Sequence, residues 1–183
     1  MRRGIFGGTF DPPHVGHVAA ARAAVAALAL DRVLFVPAGL PPQKHGHAPA
    51  EDRYRMTALA IAGEPTFEVS RIELDRPGPS YTVDTLRALA GADALFFICG
   101  ADAIRDLTTW HEWEELPRLA HFVGVTRPGV DLPQVPYATY VPMDGVDVSS
   151  TEIRARVAAG LPIDGMVTPA VATYIHEHRL YLG

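Results

Sequence analysis

The sequence predicts an α/β fold, a doubly wound and mainly parallel sheet. Three observations carry this. Apolar, β-prone runs alternate along the chain with helical ones, the βαβα order that builds parallel sheets. The run Leu95-Phe96-Phe97-Ile98-Cys99 is apolar throughout, as suits a central strand buried on both faces. The most polar and glycine- or proline-rich loops, 7–17, 37–50, 100–113 and 127–131, all follow strands. Such loops gather at the carboxyl edge of one sheet, where ligands bind in open α/β folds.

In chain order, Gly4-Ile5-Phe6 reads as the first strand, followed by a glycine turn and an Ala-rich amphipathic helix over 15–30. Arg32-Val33-Leu34-Phe35-Val36 is the second strand and ends at Pro37. Residues 39–50 hold three prolines and two glycines and read as a loop. Residues 51–62 form a helix that Gly63 caps. Residues 67–69 and 71–74 alternate in polarity and read as an edge strand. A helix over 81–90 ends at Gly91, and strands follow at 94–99, 122–125 and 137–141. The last elements are a helix over 149–159 and a closing helix over 169–178, with Pro169 at an early position.

The 183 residues predict one domain, 1–183, with no internal repeat and no low-complexity linker. Hydrophobic residues make up 48% and charged residues 20%, ordinary for a soluble globular chain. No run of eighteen apolar residues exists, so no membrane span is expected. The apolar run after Met1-Arg2-Arg3 breaks at Gly7-Gly8, too soon for a signal peptide. The single cysteine, Cys99, excludes an intramolecular disulfide framework and fits a reducing, cytoplasmic location. In its apolar run it reads as a buried structural thiol rather than a nucleophile. A formal charge of −5 argues against a nucleic-acid binder, but local cations (Lys44, Arg127 and Arg154) leave room for small anionic substrates. Oligomeric state stays open, a homo-oligomer included.

The most informative segment is Gly7-Gly8-Thr9-Phe10-Asp11-Pro12-Pro13-His14-Val15-Gly16-His17. It is a strand, a glycine turn and a helix start, with two histidines three positions apart on one face. Backbone amides at a helix N-terminus and imidazoles aimed at one point suit a polyphosphate. A bare tight turn, or a pair of metal ligands, are the blander alternatives. The second is weakened because no Cys or acidic ligand set stands nearby. Asp11-Pro12-Pro13 reads as geometry that sets the helix entrance, and no chemistry is assigned to Asp11. There is no GxxxxGK[ST] loop and no GxGxxG fingerprint.

This His-x-Gly-His segment resembles the HxGH nucleotidyltransferase superfamily. Its members transfer a nucleotidyl group from a nucleoside triphosphate, release pyrophosphate, and set both histidines against the phosphates. The second motif lies about 130 residues on: Ser149-Ser150-Thr151-Glu152-Ile153-Arg154. Ser149 with Glu152 is first of all a capping box. The hydroxyls of Ser150 and Thr151, the helix-start amides and Arg154 one turn in also make an anion site. The superfamily's SSTxxR motif, which binds the triphosphate, matches it.

Four further segments narrow the resemblance to bacterial nicotinate-nucleotide adenylyltransferases: Pro37-Ala38-Gly39-Leu40-Pro41-Pro42-Gln43-Lys44, Ser80-Tyr81-Thr82-Val83-Asp84-Thr85-Leu86, Gly100-Ala101-Asp102 with Trp110-His111-Glu112-Trp113, and Val125-Thr126-Arg127-Pro128-Gly129. The resemblance spans nearly the whole chain and implies a Rossmann-like nucleotidyltransferase fold. It implies that Gly7, Gly8, Thr9 and Phe10 hug ATP and the second substrate's ribose-phosphate. Gly100 and Asp102 would meet the adenosine ribose, and His14, His17, Ser150, Thr151 and Arg154 the triphosphate. Lys44 and Arg127 would meet the anionic substrate. Thr82 with the amide of His111 would bind a nicotinate carboxylate, and Trp110 would stack on the pyridine ring. Local alternatives stay open: Thr82 or Asp102 as a helix cap, Trp110 as core, and Lys44 and Arg127 as surface charges. Gln43 departs from relatives that carry His there, and His45 and His47 have no assigned role.

The implied reaction joins ATP and nicotinate mononucleotide into deamido-NAD and pyrophosphate. The 5′-phosphate attacks the α-phosphorus in line, with His14, His17 and Arg154 as the catalytic set carrying positive charge. Two like charges about 4 Å apart repel by about 4 kcal/mol at an effective dielectric near 20, so alignment and charge compensation are the enzyme's task. Mg²⁺ is expected on the ATP phosphates, with no metal site made of protein ligands. Related HxGH enzymes using nicotinamide mononucleotide or phosphopantetheine, and a non-catalytic nucleotide sensor, are the alternatives.

Overall fold

The computed structural model describes residues 1–41, 48–126, 132, 134–143 and 145–182. The apolar runs become six strands: β1 (Arg2–Gly8), β2 (Arg32–Pro37), β3 (Phe67–Val69), β4 (Ala94–Gly100), β5 (His121–Thr126) and β6 (Ala138–Pro142). They form one sheet in the order β3-β2-β1-β4-β5-β6, and every pairing is parallel. The expected α/β doubly wound sheet is therefore the architecture found. The chain starts in the middle, builds outward to β3, then crosses back to lay β4 against β1. That reversal opens a crevice beyond the carboxyl ends of β1 and β4, at Gly8 and Gly100.

The helices are α1 (Val15–Leu28), α2 (Ala50–Ile61), α3 (Thr82–Leu89), the short α4 (Ala101–Arg105) and α5 (Leu116–Leu119), α6 (Ser150–Ala158) and α7 (Pro169–Glu177). Side chains alternate across the strands, so neighbours in sequence feed different cores. Phe6, Phe35, Ile98 and Val123 pack with Ala21 and Ala24 of α1, Met56 of α2, Ile153 of α6 and Ile175 of α7. Ile5, Phe97 and Phe122 pack on the other face with Val83 and Leu86 of α3, Ile104 of α4 and Leu116 of α5. Both faces being covered explains why the central strands are apolar without a break.

Three local expectations are corrected. Residues 71–74 form a turn rather than the end of the edge strand, and only β3 pairs there. The turn lets Glu73 bury its carboxyl against Thr85 instead of alternating in a sheet. Helix α1 stops at Leu28 because Ala29 turns left-handed, at φ 47°. Gly63 makes no left-handed cap, since α2 ends on Ala62 in right-handed geometry. Among the described residues no helix is long and apolar enough to cross a membrane. Cys99 is buried, which pushes its thiol up to about 12, as a structural thiol requires.

Candidate active site

The crevice beyond β1 and β4 is a cleft of about 1140 Å³, above the usual range for one small ligand. Its lining includes the turn Gly7 to Asp11 together with His14, His17, Ser150, Thr151 and Arg154. Phe10 takes a left-handed backbone (φ 50°) and is 2% exposed, its ring edge-on to Phe6 at 5.5 Å. Packing of the ring thus holds a conformation that a non-glycine residue rarely adopts. The Phe10 side chain belongs to the core, while the residue still lines the cleft.

His14 is the N-cap of α1 and His17 lies in its first turn. Their ring centroids lie 3.7 Å apart, with the planes tilted by 30°. The His14 amide donates to His17 Nδ1 at 3.1 Å, which leaves the His17 proton on Nε2 as a donor. His14 Nδ1 is buried without a hydrogen-bond partner among the described residues. Burial lowers the His14 pKa to about 4; burial first, and then the neighbouring His14, push His17 well below its ordinary value. The pair is therefore neutral near pH 7. This corrects the expectation that both histidines carry positive charge: in the folded chain they are neutral imidazoles.

Gly16 sits between them for a steric reason. A Cβ there would stand 3.0 Å from His14 Nδ1 and 3.1 Å from its Cε1. Any side chain would push the imidazole away.

The second motif meets the first across the sequence. Ser149 caps α6 by accepting from the Glu152 amide at 3.1 Å, half of the expected capping box, while Glu152 turns its carboxylate toward Arg156, 4.0 Å away. Ser150 Oγ donates to the Pro12 carbonyl at 2.8 Å, and Arg154 donates to the Asp11 carbonyl at 2.7 Å and to Thr151 Oγ1 at 3.3 Å. The start of α6 and the turn before α1 are thus one unit. Asp11 is more than loop geometry. Its carboxylate is 4% exposed and accepts from the Tyr181 hydroxyl at 2.7 Å and the Ala48 amide at 3.2 Å.

The opposite wall is built on α3. Thr82 is its first residue and lines the cleft; Tyr81, not Thr82, is the N-cap. Ser80 Oγ accepts from the Gly39 and Leu40 amides at 3.0 and 3.2 Å, so the loop after β2 is fastened to the approach to α3. Gly39 must be glycine here, because a Cβ would lie 2.3 Å from the Glu73 carbonyl oxygen. Trp110 is half-buried, edge-on to Phe97 at 5.9 Å and to Phe122 at 6.4 Å, and it lines the cleft. His111 beside it stacks on Tyr81 at 4.2 Å. Arg87 of α3 pairs with Glu112 and Glu115, which holds the 110–115 segment against α3.

Two expected residues, Lys44 and Arg127, lie outside the described residues, as do Gln43, His45 and His47. Gly100 lines the cleft, but Asp102 does not: its side chain is 90% exposed and 3.5 Å from Arg105. Nor is Asp102 a cap, since Gly100 is the N-cap of α4. Sequence reasoning missed Arg53, Glu73 and Tyr181, all buried or half-buried beneath the loops of the site. Arg53 carried a detectable signal, being the one charged residue on the helical stripe 53-56-57-60-61 that α2 buries. Burial raises the Glu73 pKa, against hydrogen bonds from Thr85 and Ser80 and the nearby charges of Arg76 and Arg53.

Comparison with known proteins agrees with this geometry. A cytidylyltransferase-like family model matches residues 5–156. A Thermus thermophilus protein named "Probable nicotinate-nucleotide adenylyltransferase" is 55% identical over 187 residues, covering 99% of this chain and 100% of its own. One of the same name from Saccharopolyspora erythraea is 47% identical, covering 100% of this chain and 90% of its own. The fold matches the Plasmodium falciparum nicotinic acid mononucleotide adenylyltransferase complexed with NaAD, with a TM-score of 0.79 at 19% identity, over 98% of this chain and 97% of that one. A second structure of that protein, complexed with APC, gives 0.74 at 19% identity, over 98% and 96%. With its two motifs joined at one switch-point cleft, the chain belongs to the cytidylyltransferase-like family, among the nicotinate-nucleotide adenylyltransferases.

Proposed function

We propose that this protein transfers the adenylyl group of ATP to nicotinate mononucleotide, giving deamido-NAD and pyrophosphate in NAD biosynthesis. The observation that supports it is one cleft lined both by His14, His17 and Arg154, which we assign to the phosphates, and by Trp110 and Thr82, which we assign to the pyridine ring and its carboxylate. A dinucleotide product needs both at once.

In this reaction a mononucleotide phosphate attacks the α-phosphorus of ATP in line and pyrophosphate leaves. The nucleophile is already ionised near pH 7, so the residues act by placement and electrostatics. Gly7, Gly8, Thr9 and Phe10 offer backbone to the nucleotide. His17 Nε2–H and His14 donate as neutral imidazoles, and a polyanion beside them raises their proton affinity as charge develops. Arg154, tied to the Asp11 carbonyl, supplies fixed positive charge with the Ser150 and Thr151 end of α6. Thr82 and the amide of His111 receive the nicotinate carboxylate, and Trp110 receives the ring by stacking. Lys44 and Arg127 are assigned to the anionic substrate, and Gly100 and Asp102 to the adenosine ribose. Asp102 must reorient to take that part, because its carboxylate now faces solvent.

Mg²⁺ is assigned to the triphosphate. Phosphate oxygens and water, the hard donors it prefers, would hold it there. When bound it offsets phosphate charge. The deciding experiment supplies ATP with nicotinate mononucleotide, nicotinamide mononucleotide or phosphopantetheine in parallel and measures pyrophosphate. Release with nicotinate mononucleotide far above the other two is expected; release only with another acceptor would overturn the assignment.

A further inference from the structure

Arg53 does not line the cleft and has no substrate contact assigned to it, yet it is 2% exposed and the largest fully buried side chain among the described residues. A buried guanidinium is costly unless its donors are used. Here they are: Nη1 donates to the Thr9 carbonyl at 2.8 Å, Nη2 to the Gly39 carbonyl at 3.2 Å and Nε to the Ala48 carbonyl at 3.2 Å. Thr9 lies in the turn after β1, Gly39 in the loop after β2, and Ala48 at the approach to α2. One planar fork therefore joins three backbone segments that share no secondary structure. Asp11 faces the same guanidinium and closes the arrangement by accepting from the Ala48 amide and the Tyr181 hydroxyl.

We propose that Arg53 is a positioning residue for adenylyl transfer: it clamps the turn after β1 to the loop after β2, and the Asp11–Tyr181 hydrogen bond locks the clamp. The inference rests on the activity assigned above. Thr9 and Asp11 precede His14 in one short turn, so a shift at the clamp is passed to both imidazoles and to the carbonyl that holds Arg154. Lysine is a poor substitute, because a single ammonium cannot reach three carbonyls in the plane of a guanidinium fork.

The test compares Arg53→Lys and Tyr181→Phe with Leu30→Ala, a core truncation beside Gly4 in β1, at the opposite edge of the sheet. Pyrophosphate release, ATP Kd by calorimetry and thermal midpoint are measured for each. Arg53→Lys is expected to lower kcat by about tenfold or more and to weaken ATP binding, since displacements near 1 Å cost about that much or more. Tyr181→Phe should do the same to a smaller degree. Leu30→Ala should lose midpoint but keep kcat and both KM values within about twofold, which separates positioning from stability. Folded Arg53→Lys protein with unchanged kcat and ATP Kd overturns the clamp. If Arg53→Lys fails to melt cooperatively, unchanged kinetics and ATP binding in Tyr181→Phe overturn it. Wild-type protein that binds ATP but releases no pyrophosphate with nicotinate mononucleotide rejects the activity instead, and the ATP Kd comparison then still decides the clamp.

Discussion

The His14 and His17 rings lie 3.7 Å apart, tilted by 30°, while the His14 backbone amide donates to His17 Nδ1 and so fixes that ring's tautomer. Both are held neutral, His14 with a pKa near 4 and His17 well below its ordinary value. In the unfolded chain each titrates near 6.5. Between those values the unfolded state binds more protons, so folding stability is complete above about pH 6.5 and falls as pH drops toward 4. The slope from each histidine is at most about 1.4 kcal/mol per pH unit. Urea midpoints measured from pH 7 to 4.5 should decline in the wild type and decline less steeply in the His14→Gln/His17→Gln double variant. Parallel declines would mean that the pair titrates normally when folded.

A polyanion placed against neutral imidazoles favours their protonated form. ATP binding near pH 6 is therefore expected to take up protons. Calorimetry in two buffers of different ionisation heat measures the number directly. His17→Ala should reduce that uptake and lower kcat by about 100-fold or more, while circular dichroism stays that of the wild type. Near-normal turnover in His17→Ala removes this imidazole from the chemistry.

Gly16→Ala separates geometry from stability. The helix position favours alanine by up to about 1 kcal/mol, but the new Cβ would stand 3.0 Å from His14 Nδ1. The ring must move by a few tenths of an ångström or more, and it is a side chain free to do so. The expected result is a thermal midpoint equal to or above the wild type with kcat lowered by about tenfold. A variant as active as the wild type would show that the position of His14 is not what the glycine protects.

Those three variants probe what was legible in the sequence, and the structure shows where legibility stopped. The strand, turn and helix around His14 and His17 are set by residues close in sequence, so their pattern could be read directly. The meeting of Ser150 and Arg154 with Pro12 and Asp11 was also foreseeable, because a capped helix start and a strand-end turn both face the carboxyl edge of a parallel sheet. The neutral state of the imidazoles was not, since it follows from burial in the folded chain, to which the packing of Phe6 and Phe10 against His17 contributes. Arg53 was hidden for a related reason: its three carbonyl partners come from three separate segments, and no local pattern announces their convergence. At residues 71–74 alternation suggested a strand, but the hydrogen bond from Thr85 to Glu73 at 2.5 Å holds a turn instead. Asp102 shows the remaining limit, because the first turn of a helix can point a carboxylate either into a cleft or out to solvent.

Trp110 divides core from site within one side chain. The indole is edge-on to Phe97 and Phe122, and the residue also lines the cleft, as Thr82 does. Truncation removes both functions, so Trp110→Ala should lower the thermal midpoint as well as weaken ring stacking. The two losses are told apart by substrate. Stacking is worth about 0.5–1.5 kcal/mol beyond area burial, so the KM for the mononucleotide should rise by about tenfold. ATP is assigned to the opposite end of the cleft, and its KM should change by less than about twofold if the fold holds. Trp110→Phe keeps an aromatic face and should recover most of the mononucleotide KM. Equal increases for both substrates in Trp110→Ala, unrelieved by Trp110→Phe, would leave the indole with a packing role alone.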